Sequence, residues 1–123
     1  MSFALDRYRV ARVETATPVQ LVVDLYRGAT RFLRQAIVHD REGQPAARGV
    51  ALGKAHAIVS ELQATLNRDR APELVDQLDR LYDFVLHRIT EANVRADVTL
   101  LEAALDVLAT LESAWSQLAA RAS

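Results

Sequence analysis

Four stretches of this chain carry apolar residues at an alternating three-and-four spacing, each for about 20 residues. An α-helix turns about 100° per residue, so this spacing lines up one face of a helix and of nothing else. The first stripe is Val22, Leu25, Ala29, Phe32 and Ala36, and the second is Leu52, Ala55, Val59, Leu62 and Leu66. The third is Val75, Leu78, Tyr82, Val85, Ile89 and Ala92. The fourth is Leu101, Ala104, Leu108, Leu111, Trp115 and Leu118. The spacing predicts helices over 18–39, 47–66, 72–94 and 98–120. Thr17 and Asp97 serve as N-caps, and Pro18 and Pro72 open helices at their first positions. Asp40 to Pro45 reads as a polar turn holding both breakers. Only four glycines and three prolines punctuate the chain. Short connections make neighbouring helices antiparallel. The expected fold is all-α: an antiparallel four-helix bundle in one domain spanning 1–123, with a short N-terminal helical segment within residues 1–16.

The charges nearly cancel, with 15 basic against 16 acidic residues, so a nucleic-acid partner is not expected. The N-terminus lacks a signal-like apolar region and no apolar run is long enough to insert in a membrane. A cytoplasmic protein is the expectation. Without cysteine there is no thiolate nucleophile and no sulfur metal site. His39, His56 and His87 do not pair at helical ligand spacing, so no metal or cofactor is expected. His39 suits the C-terminal dipole of its helix, and His87 falls opposite the third stripe, toward solvent. His56 on a helical bundle admits a histidine phosphotransfer reading, but Ala57-Ile58-Val59 follows it where such domains place Lys-Gly. Glu61, Asp76, Asp83 and Glu91 read as solvated faces. No catalytic residue can be assigned, and the chain is not expected to be an enzyme.

Helices 3 and 4 carry more apolar surface than one seam needs. Leu74, Leu81, Phe84 and Leu86 widen the third stripe, and Leu100, Ala103, Val107 and Ala114 widen the fourth. Either both flanks pack on neighbours, or part of the excess forms a groove for a partner segment. Near the N-terminus, Leu5 and Tyr8 share one helical face, with Phe3 close by, among Arg7, Arg9 and Arg12.

Several local patterns also resemble a known family. Thr15-Ala16-Thr17-Pro18-Val19-Gln20-Leu21 leads into Leu25-Tyr26-Arg27-Gly28-Ala29. Lys54 to Leu62, Leu66-Asn67, Leu81-Tyr82-Asp83-Phe84 and Glu91-Ala92-Asn93 follow, and Trp115 closes the last helix. In order and spacing these resemble the flagellar secretion chaperones of the FliS family over nearly the whole chain. Arg27 departs from the pattern, which often has an acidic or amide residue there. The resemblance implies a cytosolic bundle that binds the disordered C-terminal region of flagellin. Such a protein prevents premature polymerisation and delivers flagellin to the flagellar type III export gate. It also implies a lid, which maps onto Phe3, Leu5 and Tyr8. With the surplus apolar arc, it points to Ile58, Leu62, Leu66, Leu74, Leu81, Leu100 and Val107 as groove residues on helices 2, 3 and 4. A helical adaptor for another secretion client shares every physical feature. For the motif residues themselves, simpler roles are expected. Gly28 permits close helix approach, Tyr26 and Tyr82 sit at core edges with hydroxyls in water, Asn93 ends helix 3, and Trp115 anchors the core.

Overall fold

The computed structural model describes residues 18–122. The N-terminal segment and the Thr17 cap lie outside them. The described chain folds into α1 (Pro18–Arg41), α2 (Pro45–Ala64), α3 (Pro72–Val94) and α4 (Leu101–Ala122), with a 3-10 turn at Val98–Leu100 before α4. Asp97 caps that turn by accepting from the Thr99 backbone N–H at 3.0 Å and from its hydroxyl at 2.5 Å. These bonds to Thr99 hold its carboxyl below the usual aspartate range. Pro45 opens α2 rather than breaking the chain, so the turn expected over 40–45 shrinks to 42–44. Leu66 falls beyond the end of α2, where the Thr65 hydroxyl donates back to the Leu62 carbonyl at 2.7 Å.

Each helix packs on two neighbours: α1 on α2 and α4, and α3 on α2 and α4. The pairs α1/α3 and α2/α4 stand diagonally across the core. Antiparallel order follows from the bonds between helices. Gly49 near the start of α2 lies by Asn93 near the end of α3, while Gln63 at the end of α2 donates to Asp79 and Asp83 in α3. Arg48 reaches back to Asp40 at 2.7 Å, tying the last turn of α1 to the first of α2. The α1/α2 pair is the most closely packed, and α3/α4 is the loosest of the neighbouring helix pairs. Small residues explain the first. Gly28, Ala29 and Ala36 of α1 are buried, as are Ala51 and Ala55 of α2. A Cβ at Gly28 would stand 3.3 Å from the Ile58 Cδ1, so this glycine does permit the close approach.

The third stripe is the buried face of α3, position for position. The first is shifted. α1 buries Val23, Tyr26, Ala29, Leu33 and Ala36, while Val22, Leu25 and Phe32 are only partly buried. Tyr26 and Tyr82 are not edge residues with wet hydroxyls. They are 0% and 2% exposed, and their hydroxyls hydrogen-bond to each other across the diagonal of the core. A buried phenol needs such a partner.

Helices α1 and α3 end alike. Gly43 (φ +67°) and Ala96 (φ +51°) adopt the left-handed conformation. In each case the next backbone N–H reaches five residues back, Gln44 to His39 at 2.9 Å and Asp97 to Ala92 at 3.0 Å. This is the Schellman stop, which favours glycine. Ala96, not Asn93, is therefore the left-handed residue after α3. Left-handed geometry costs alanine about 1–2 kcal/mol, and glycine's greater unfolded freedom offsets part of any gain. Ala96→Gly should raise stability by about 0.5–1 kcal/mol, read as a higher urea midpoint at unchanged slope.

Candidate functional site

Which flank of α3 faces which neighbour is fixed by its polar contacts. Gln63 of α2 donates to Asp79 at 2.8 Å and Asp83 at 2.7 Å, so that flank belongs to α2. At about 100° per residue, Leu74 and Leu81 fall on the opposite flank, toward α4. On α4, Glu112 pairs with Arg27 of α1 at 3.5 Å, which fixes the α1 side. Val107, Leu111, Ala114 and Leu118 lie on the other flank, toward α3, and Leu100 precedes them in the 3-10 turn. Leu74 and Leu81 of α3 thus converge with the surplus arc of α4 on one seam, while Leu86, seven residues after Asp79, falls on the α2 flank and Phe84 is exposed.

That seam is incompletely closed. Burial along α4 is complete at Leu101, Ala104 and Leu108 and then fails. Leu111 and Trp115 are half-buried, and Leu118, expected in the core, is 45% exposed. Across from them Leu74 is 55% exposed and Leu81 half-buried. Leu100 and Val107 are half-buried farther along and pack against the core. Trp115 is a rim residue rather than a core anchor. Its indole lies close to the Tyr26 hydroxyl; the hydrogen bond to Tyr82 and, less, this neighbour partly offset the rise that burial imposes on the Tyr26 phenol.

The expected groove residues therefore divide. Leu74, Leu81, Leu100 and Val107 meet at the α3/α4 seam. Ile58 and Leu62 are each 2% exposed and belong to the core, Ile58 against Gly28. They offer no surface, because α2 packs on both neighbours and buries two adjacent stripes. Leu66 packs against the core from beyond the end of α2. Phe3, Leu5 and Tyr8 lie outside the described residues. Leu111, Trp115 and Leu118 join the seam although their spacing reads as core.

His56 is half-buried beside Ser60, with Nδ1 3.5 Å from its hydroxyl. His39 Nδ1 lies 2.9 Å from the Gln44 side-chain oxygen, and His87 is exposed and pairs with Glu91 at 2.5 Å. Among the described residues no group of three His, Cys, Asp or Glu is placed to hold a metal, and no helix is long and apolar enough to cross a membrane.

The family model described as "Flagellar protein FliS" matches residues 1–122. The flagellar secretion chaperone FliS of Salmonella typhimurium (strain LT2) is 34% identical over 112 residues, covering 90% of this chain and 83% of the relative. That of Vibrio cholerae is 30% identical over 122 residues, covering 96% and 90%. The Bacillus subtilis (strain 168) protein is 32% identical over 110 residues, covering 89% and 81%. With a match across nearly every residue and relatives this similar over most of both chains, the protein belongs to the FliS family of flagellar secretion chaperones, a family of chaperones and not of enzymes.

Proposed function

We propose that the chain binds the disordered C-terminal region of flagellin in the cytoplasm, keeps it from polymerising prematurely and delivers it to the flagellar type III export gate. The observation that carries this reading is the open apolar seam between α3 and α4. A large exposed apolar surface on a folded bundle marks an interaction site. A groove of this kind takes amphipathic turns of a partner segment. The bundle is preformed, so only the client loses conformational freedom on binding. Leu74, Leu81, Leu100, Val107, Leu111 and Leu118 would receive its apolar side chains.

Titration calorimetry with a peptide from the flagellin C-terminus tests the reading. Binding should be detectable at micromolar peptide, with a negative heat-capacity change from apolar burial. An absence of binding heat with the bundle shown folded would remove flagellin as the client and leave an adaptor for another secretion client.

Phe3, Leu5 and Tyr8 are proposed as a lid that competes with client for the same seam. Tyr8→Ala should then change peptide affinity several-fold and leave the melting temperature unmoved. An unchanged affinity would take the lid out of the mechanism.

A further inference from the structure

The outer face of α1 carries a second pattern at three-and-four spacing, and this one is basic. Arg27, Arg31, Arg34, Val38 and Arg41 recur along one line of the helix, and all five are exposed. A cleft of about 600 Å³ runs along this line, bounded on one side by Glu112 of α4. Its lining holds Arg27, Arg31, Arg34 and His39 against that single carboxylate. Among the described residues Glu112 engages only Arg27, at 3.5 Å. Arg31 lies over the ring of its neighbour Phe32 at 5.7 Å and has no ion-pair partner among the described residues. Arg34 has no ion-pair partner among the described residues. At the edge of the cleft Thr30 is 7% exposed, and its hydroxyl has no hydrogen-bond partner among the described residues. Val38, 47% exposed, adds one apolar contact to the same line.

Stability does not explain this arrangement. Three like charges on consecutive turns repel one another, and a solvated helix face ordinarily intersperses signs. Chain-wide the charges balance, so the basic line is a local excess of cations. Guanidinium forks in a row select carboxylates presented at matching spacing.

We propose that this face of α1 docks an acidic amphipathic helical segment of a partner protein. Its carboxylates, repeating at three-and-four spacing, would meet Arg27, Arg31 and Arg34, and one apolar side chain would cover Val38. From Arg27 to Val38 the line spans about 16 Å, or three helical turns. Helix α1 stands diagonally across the bundle from α3, so a client in the α3/α4 seam leaves this face open. The chaperone would then hold client on one side and a second protein on the other.

The test is fluorescence anisotropy of a labelled alanine-rich helical peptide carrying glutamates at that spacing and one leucine, titrated with the whole chain. Saturable binding that weakens as salt is raised is expected. Arg31→Gln with Arg34→Gln should weaken it about tenfold or more, the effect of losing two charge-assisted contacts. Arg70→Gln with Arg80→Gln makes the same charge change elsewhere on the surface and should leave binding within about twofold. Circular dichroism melts establish that both variants fold. Equal loss in the two variants would overturn the proposal, because it would reveal attraction to net charge alone. Binding insensitive to Arg31 and Arg34 would overturn it too, and so would a face that takes inorganic phosphate but not the peptide.

Discussion

Tyr26→Phe should destabilise the bundle by about 1–3 kcal/mol, Tyr82→Phe by less, and the double variant by less than the sum of the two. The two hydroxyls satisfy each other in the core, and the Trp115 indole lies close to Tyr26 alone. Removing Tyr26's hydroxyl orphans Tyr82 and takes a polar neighbour from Trp115. Removing Tyr82's leaves Tyr26 beside the polar edge of the Trp115 indole. Removing both leaves no buried orphan hydroxyl, and the half-buried indole can turn to water. Urea denaturation of the four-member cycle measures these differences. Trp115 is the chain's single tryptophan, so its emission should shift in Tyr26→Phe and hold in Tyr82→Phe. The same pair governs alkaline stability. Burial, the largest cause for each, raises both phenols above their ordinary value. Below about pH 10 both are protonated whether folded or not, and their full contribution is present. As pH rises further the unfolded chain ionises while the folded core stays protonated, so stability falls by about 1.4 kcal/mol per pH unit for each phenol. That loss continues until pH reaches the raised folded-state values. Urea midpoints measured upward from about pH 8 should show this decline and should show much less of it in the double variant. An identical decline in both proteins would mean that the tyrosine pair is not its source.

The contrast between α1 and α3 explains what the sequence can and cannot reveal about the core. On α3 five of the six buried positions border a charged residue, Asp76 beside Val75, Asp79 beside Leu78, Asp83 beside Tyr82, Arg88 beside Ile89 and Glu91 beside Ala92; only Val85 lies between apolar neighbours, and the phase these charges mark is the observed one. On α1 the apolar residues come in adjacent pairs, Val22-Val23, Leu25-Tyr26 and Phe32-Leu33, and two phases fit almost equally. What decides between them lies on other helices: the Tyr82 hydroxyl that Tyr26 must meet and the Ile58 side chain that Gly28 must clear. Ile58-Val59 on α2 poses the same ambiguity, and for the same reason Ile58 reads as groove when it is core. Helix α4 fails differently. Its stripe continues unbroken to Leu118, yet burial ends at Leu108. Periodicity records which face of a helix is apolar and carries no information about what covers it. That is why the surplus arcs on helices 3 and 4 were legible but the position of the opening was not.

The same distinction between an apolar face and a covered one supplies the sharpest test of the seam. Leu62→Ala, at a residue 2% exposed, should cost about 2–5 kcal/mol of stability through the cavity it leaves. Under conditions where that variant remains folded, its affinity for the flagellin peptide should be close to that of the parent. Leu74→Asp with Leu118→Asp should do the reverse. Both side chains are about half exposed, so the stability change should stay within about 1 kcal/mol. If each is an anchor worth about 1–2 kcal/mol at the interface, peptide affinity should fall between tenfold and a thousandfold. A control comes from apolar residues away from the seam. Val50 and Val94 are 59% and 79% exposed, near the start of α2 and at the end of α3. Val50→Asp with Val94→Asp adds the same charge to the surface and should leave the peptide affinity unchanged. Calorimetry on the parent and the three variants, each with its urea midpoint, separates the possibilities. Loss of affinity confined to the Leu74 and Leu118 pair would establish the α3/α4 seam as the client surface. Loss in the Val50 and Val94 pair instead would move the client to the other end of the bundle, where the open seam plays no part in holding it.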